Sequence, residues 1–168
     1  FTYLSFIISK MHTLNTLVEK LESNIPFVYH SNHAVSSSNM GWHIEHSLLT
    51  INGIVDALIN SNPQDYKWKF NFTRMLVMNM KKIPRGRAKS PDIVIPFIDY
   101  NENTLKHHIS KTNESISKLA ALNKMHYFEH PYFGKLRLDK TIVFLEIHTN
   151  HHLEIINDIV KNSSSPIN

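Results

Sequence analysis

With 168 residues and 42% hydrophobic side chains, the chain is long enough for one domain that buries about two-thirds of its unfolded surface. Its mean hydropathy of -0.25 excludes a disordered polymer. The absence of cysteine removes disulfides, thiolate metal ligands and a cysteine nucleophile together, so a metal site must draw on His, Asp, Glu or water. The 18 Lys and Arg against 14 Asp and Glu leave a charge of +4, set largely by one loop; the excess that needs a reason is histidine, 12 in all.

The opening FTYLSFIISKM carries one charge, Lys10, and is too short to span a bilayer. It also lacks the basic start and small-residue cleavage site of a secretory leader. We therefore expect no export and no membrane partner, and a cytoplasmic protein by default. Residues 1–10 are expected to be disordered or to precede the true start, which Met11 would mark.

The first helix is predicted from about Ser9 to Glu22, with Leu14, Leu17, Val18 and Leu21 on one stripe, stopping before Pro26. The stretch VSSSNMGWHIEHSLLTINGIVDALINSNP predicts a second helix, with N-caps offered by Ser36 to Asn39 and an end at Ser61, Asn62 and Pro63. A long connection runs from Pro63 to about Tyr100. Within it Phe70 to Met80 reads as a short helix, MKKIPRGRAKSPDIVIP as irregular and basic, and Ile93 to Ile98 as extended loop because proline interrupts it.

The third helix is predicted from about Glu102 to Leu122 on the apolar positions Leu105, Ile109, Ile116, Leu119 and Ala120. The loop NKMHYFEHPYFGKL leads to a fourth, about Leu138 to Lys161, before a frayed tail over 162–168. Amphipathic helices, one long crossover between the second and third, and no strand signal define an all-α four-helix bundle, a single domain over residues 1–168.

The fourth helix contains IHTNHHLEII. At about 100° per residue, Leu145, His148, His152, Ile155, Ile156 and Ile159 share one apolar sector. His148 and His152 are a turn apart and can share one cation, whereas His151 projects about 100° away from His152, to the edge of that face. An imidazole buried without a partner costs about 1–3 kcal/mol, so the pair needs either a metal or hydrogen-bonding neighbours. On the second helix His46 shares a face with Trp42, Thr50, Gly53 and Ala57, and the small residues there would let a facing helix approach closely. His46 is a candidate third ligand, and His43, one turn earlier and to the side, is its competitor. Three neutral imidazoles with open positions make a catalytic type of site.

Lys81, Lys82, Arg85, Arg87 and Lys89 form the basic loop, read as solvated, with an anion site near the bundle mouth as the sharper alternative. The charge is too localised to predict a nucleic-acid partner. His130 precedes Pro131, and with Gly134 it reads as a structural turn that aims the fourth helix. His107 and His108 read as surface residues, and His12, His30, His33 and His126 have no partner identifiable from the sequence. The nucleotide-binding and serine-hydrolase signatures GxGxxG, the P-loop and GxSxG do not occur.

The pattern HPYFGKL (His130 to Leu136), then a helix with HTNHH (His148 to His152), and before both NMGWHIEHSL (Asn39 to Leu48), resembles the DinB-like superfamily of metalloenzymes. It is similar in particular to a branch of domains of unknown function in which HPxFG precedes HxxHH. The similarity runs from about Leu14 to Val160 and rests on the order and spacing of the three pieces.

The resemblance implies an up-down-down-up bundle, a three-histidine site for a divalent metal at His46, His148 and His152, and frequently a homodimer. Thr141 departs from it, standing where the family usually carries a tryptophan. Relatives of that superfamily include metal-dependent thiol S-transferases and a thiol-dependent isomerase. The implied activity is therefore metal-dependent transfer or hydrolysis on a small-molecule substrate, with a low-molecular-weight thiol or water as nucleophile. Zinc or nickel is the expected ion, and iron or manganese also suits the donors. Glu45 and Glu146 flank the ligands without pointing at the metal, and no general base is assigned. The competing expectation is a non-catalytic bundle with structural histidines, acting in dimerisation or partner binding.

Overall fold

A computed structural model describes residues 2–85, 95–96 and 100–163, with side chains to Lys161. Arg87, Lys89, most of the Ile93 to Ile98 stretch and the end of the predicted tail lie outside the described residues. Among the described residues the fold is mostly helical: α1 (Tyr3–Glu22), α2 (Met40–Asn60), α3 (Phe72–Met80), α4 (Glu102–Lys118) and α5 (Leu138–Ser163). A two-stranded antiparallel sheet, β1 (Tyr127–His130) and β2 (Gly134–Arg137), precedes α5. No described helix is long and apolar enough to cross a membrane.

The helix starts follow from side chains that satisfy orphan backbone N–H groups. Thr2 accepts from Ser5 N–H, Asn39 from Trp42 N–H and Asn71 from Arg74 N–H. Asn101 and Thr104 form a reciprocal capping box. α1 therefore begins at Tyr3 rather than Ser9, and residues 3–10 are helical. Ile7 is buried in the core, and Lys10 pairs with Glu146 of α5 at 2.9 Å.

α1 packs against α4 and α5, and α2 packs against the same two helices, enclosing one apolar core. Leu14, Leu21, Ile44, Ile51, Leu58, Leu105, Ile116, Leu145 and Ile156 are buried in it. Each such side chain contributes about 1.5–3 kcal/mol by leaving water.

The hairpin is absent from the sequence expectation, which placed a loop there. Tyr127 opposes Arg137 and His130 opposes Gly134 across it, with Gly134 at φ 66 supplying the left-handed residue that closes the turn. His126, which has no identifiable partner in the sequence, explains why the segment is ordered. Its Nδ1 lies 2.9 Å from the Leu58 carbonyl oxygen, and Tyr127 N–H donates to Ser61 Oγ at 3.0 Å. The end of α2 thus pins the hairpin. A strand four residues long shows too little alternation to be read without that partner.

The glycines of α2 also correct an expectation. Gly53 is exposed, and a Cβ there would meet nothing within 4 Å, so Gly53 does not serve close helix approach. The crowded glycine is Gly41, where a Cβ would collide with the Tyr100 ring and stand 3.0 Å from the Val28 carbonyl oxygen, both in segments outside the helices. Gly53→Ala is therefore expected to stabilise the fold by about 0.5–1 kcal/mol, the helical penalty of glycine relative to alanine. Denaturant unfolding checks this; a destabilised variant would contradict the open space at Gly53.

Candidate metal centre

The contact between α2 and α5 carries His43 and His46 from one helix and His148 and His152 from the other. His46 and His152 are 3% and 7% exposed, and His148 is partly buried. Ring centroids stand 4.7 Å apart for His46 and His152, 4.7 Å for His148 and His152, and 5.2 Å for His46 and His148. One potential ligand atom from each of these three rings lies within 4.8 Å of the other two. Zinc–nitrogen bonds of about 2.0–2.1 Å at tetrahedral angles set nitrogens about 3.4 Å apart, so small ring rotations would close the set on one ion. The three histidines lie close enough to bind a metal.

Trp42, one turn before His46, stacks on that ring at 4.8 Å and 11°. On the other side Phe144 lies 5.8 Å from His148 and packs edge-on to His130 and Phe133. His130 does not join the metal set. It stacks on Phe133 at 4.1 Å, and its Nδ1 accepts from Tyr132 N–H at 3.1 Å and Phe133 N–H at 3.3 Å. The ring therefore holds the hairpin turn, in keeping with its structural reading. Thr141 is not part of the aromatic wall either: its hydroxyl donates to the Leu136 carbonyl at 2.8 Å, at the junction of β2 and α5.

His43 stands outside the three-histidine set, and both its nitrogens are engaged. Nδ1 lies 3.0 Å from His152 Nδ1 and Nε2 lies 2.9 Å from Ser36 Oγ. His151 stands edge-on to His152 at 5.2 Å. With Lys81, Lys82, Arg85 and Asn150 it lines a cleft of about 180 Å³ on the outer side of α5. The basic loop thus reaches the bundle, where Arg85 pairs with Asp158 at 2.8 Å.

The carboxylates beside the ligands face away. Glu45 accepts from His108 of α4 at 2.8 Å, and Glu146 accepts from Lys10 of α1 at 2.9 Å. His108 is consequently partly buried and paired, not a free surface residue. Burial raises the Glu146 carboxyl above its usual range, with Lys10 opposing the shift.

Burial keeps His148 and His152 in the ligand form. Burial, then the neighbouring His46, holds His148 well below the usual imidazole value, and burial followed by His148 and His46 does the same to His152. A neutral imidazole is the form that binds a cation. His148 Nδ1 is buried with no hydrogen-bond partner, an orphaned polar atom on one of the three converging rings. All-imidazole donors, their spacing and this orphan together fit a divalent ion.

Sequence reasoning found His46, His148 and His152 but missed Ser36, because no periodicity links a loop hydroxyl to a helical histidine. Comparisons with family models, curated proteins and solved structures gave no match for the chain.

Burial alone lowers His130 to about 4, and burial followed by His46 lowers His43 to about 4, against 6.5 for the free ring. Below 6.5 the unfolded chain takes up protons that the folded chain refuses. Stability of metal-free protein is therefore expected to be level above pH 6.5 and to fall as pH drops toward 4. Denaturation midpoints across that interval check this; a constant midpoint would contradict neutral buried rings.

Proposed function

We propose that the chain is a divalent-metal-dependent enzyme of the DinB-like kind its sequence resembles, with His46, His148 and His152 as the metal ligands. The observation that carries the reading is the convergence of three imidazoles from two helices inside an apolar core, and the Nδ1 of His148 is buried without a hydrogen-bond partner. Three protein ligands leave at least one position for an exchangeable group, the arrangement of catalytic rather than closed structural sites.

Bound there, a divalent ion supplies Lewis acidity that lowers the pKa of a water or a thiol toward neutrality. The chain itself holds the rings in place, with Trp42 stacked on His46 and Phe144 beside His148. It contributes no cysteine, so the nucleophile is water or a small-molecule thiol. With Glu45 and Glu146 engaged by His108 and Lys10, a released proton passes to solvent or substrate rather than to either carboxylate. Zinc or nickel suits three imidazoles, with iron or manganese as further occupants. The up-down-down-up order and a homodimer belong to the same proposal.

The reading in which the bundle is non-catalytic draws on that lack of a free carboxylate. Turnover separates the two: metal-loaded protein that converts no thiol-plus-electrophile pair and no hydrolysable substrate favours the non-catalytic bundle.

Protein purified without a histidine tag is expected to carry about one equivalent of a transition metal per chain. His148→Ala and His46→Ala should each lower affinity for zinc at least tenfold while the helical circular dichroism persists. Elemental analysis and zinc titration make the measurement; metal content unchanged in both variants would remove the site.

A further inference from the structure

His152 spends one ring nitrogen on another histidine. Its Nδ1 lies 3.0 Å from His43 Nδ1, inside the protein, and the far nitrogen of His43, Nε2, lies 2.9 Å from Ser36 Oγ. Ser36 Oγ in turn accepts from Ser38 N–H at 3.1 Å. The three side chains form one line from the loop before α2 to the centre of the α2–α5 contact.

A contact between two Nδ1 atoms needs one proton between them, so the tautomers of the two rings are linked. If His152 carries its proton on Nδ1, His43 must accept there and carry its own on Nε2, which donates to Ser36. The opposite polarity puts a proton on His152 Nε2 and closes that nitrogen to a cation. Only the first arrangement is compatible with His152 as a ligand.

The line is anchored at its outer end. Ala34 N–H donates to Asn32 Oδ1 at 3.0 Å, and Val35 and Ser36 N–H donate to the Asn32 carbonyl at 2.9 Å. Met40 N–H donates to the His30 carbonyl and Gly41 N–H to the Val28 carbonyl, fastening the loop to the first turn of α2. His43 is 4% exposed, so bulk water does not compete for the chain.

We propose that Ser36 and His43 are positioning residues that fix His152 as its Nδ1–H tautomer and present Nε2 to the metal. The inference rests on the metal reading above and adds what that reading does not contain: a direction for every proton along the line, and a reason for a fourth histidine beside three ligands. A partner that orients a ligating imidazole is typically worth about 10–100-fold in metal affinity.

The experiment compares zinc affinity by competition with a chromogenic chelator in the full chain, its His43→Leu, His43→Gln and Ser36→Ala variants, and reads the histidine tautomers of zinc-loaded protein by long-range 15N–1H NMR. His43→Leu fills the space without an acceptor and is expected to lose about 10–100-fold. Glutamine can accept from His152 and donate to Ser36, so His43→Gln should recover most of that loss. Ser36→Ala, at a partly exposed loop position, should lose less than His43→Leu.

The NMR spectrum should assign Nδ1–H to His152 and Nε2–H to His43. Zinc bound by His43→Leu as tightly as by the parent, or a proton on His152 Nε2 in the zinc complex, would overturn the proposal and leave the metal site standing. Should His43→Leu fail to fold, His43→Gln and the tautomers decide: a loss of about tenfold or more in His43→Gln relative to the parent, or a proton on His152 Nε2, counts against it. A parent chain that binds no zinc overturns the metal reading, and this inference falls with it.

Discussion

The α2–α5 contact sets an imidazole cluster into apolar surroundings, and that single juxtaposition constrains everything around it. A buried ring nitrogen must be bonded, or its free energy rises by about 1–3 kcal/mol. A buried ring that gains a proton must also bear a charge in low dielectric. The protein answers with neighbours: His43 for one nitrogen of His152, a tryptophan face for His46, and aromatic rings beside His148. His148 Nδ1 is an unpartnered buried atom, and a cation held by the three rings is one way to complete the cluster.

The outer helices brace the cluster from behind. Glu45 follows His43 by two residues and precedes His46, yet it points to α4 and meets His108. Glu146 sits two residues before His148 and points to α1, where it meets Lys10. Each ligand-bearing helix therefore has a charged side chain tied to a different neighbour, and these ties favour one rotation of α2 and one of α5. Breaking either pair would leave a largely buried carboxylate uncompensated, a larger cost than the pair's own contribution. At the end of the bundle, the hairpin hung from Ser61 and Leu58 seats Phe133 and His130 against Phe144 and so continues the aromatic wall beside His148.

For chemistry, the consequence is a site rich in neutral donors and poor in free bases. The groups that usually move protons in metal hydrolases, glutamate or aspartate beside the ion, are held in structural pairs. Under the metalloenzyme reading we propose, such a centre would suit reactions in which the nucleophile sheds its own proton, as a thiol does more readily than water. The cleft along the outer face of α5, with Lys81, Lys82 and Arg85, is lined in part by His151, the sequence neighbour of the candidate ligand His152.

Much of this was legible in the residues alone. A 3.6-residue period of Leu and Ile determined the four long helices, and the four-residue spacing of His148 and His152 put both rings on the buried face of one of them, because side chains a turn apart must stack. The start of α1 was not legible: the apolar opening reads as disordered or as preceding the true start until Ile7 is buried in the core and Lys10 meets Glu146. Nor was the hairpin, whose short strands depend on backbone groups of α2 for their order. Gly53 and Gly41 were indistinguishable as letters, and only the position of Tyr100 separates an open site from a crowded one. The choice between His43 and His46 likewise waited on the fold. Both lie on α2 within a turn of each other, and His43 is engaged by a hydroxyl at Ser36 and by a nitrogen more than a hundred residues away, whereas His46 meets His148 and His152. Periodicity decides which face of a helix is buried, whereas hydrogen bonds between distant segments decide which atoms on that face remain available.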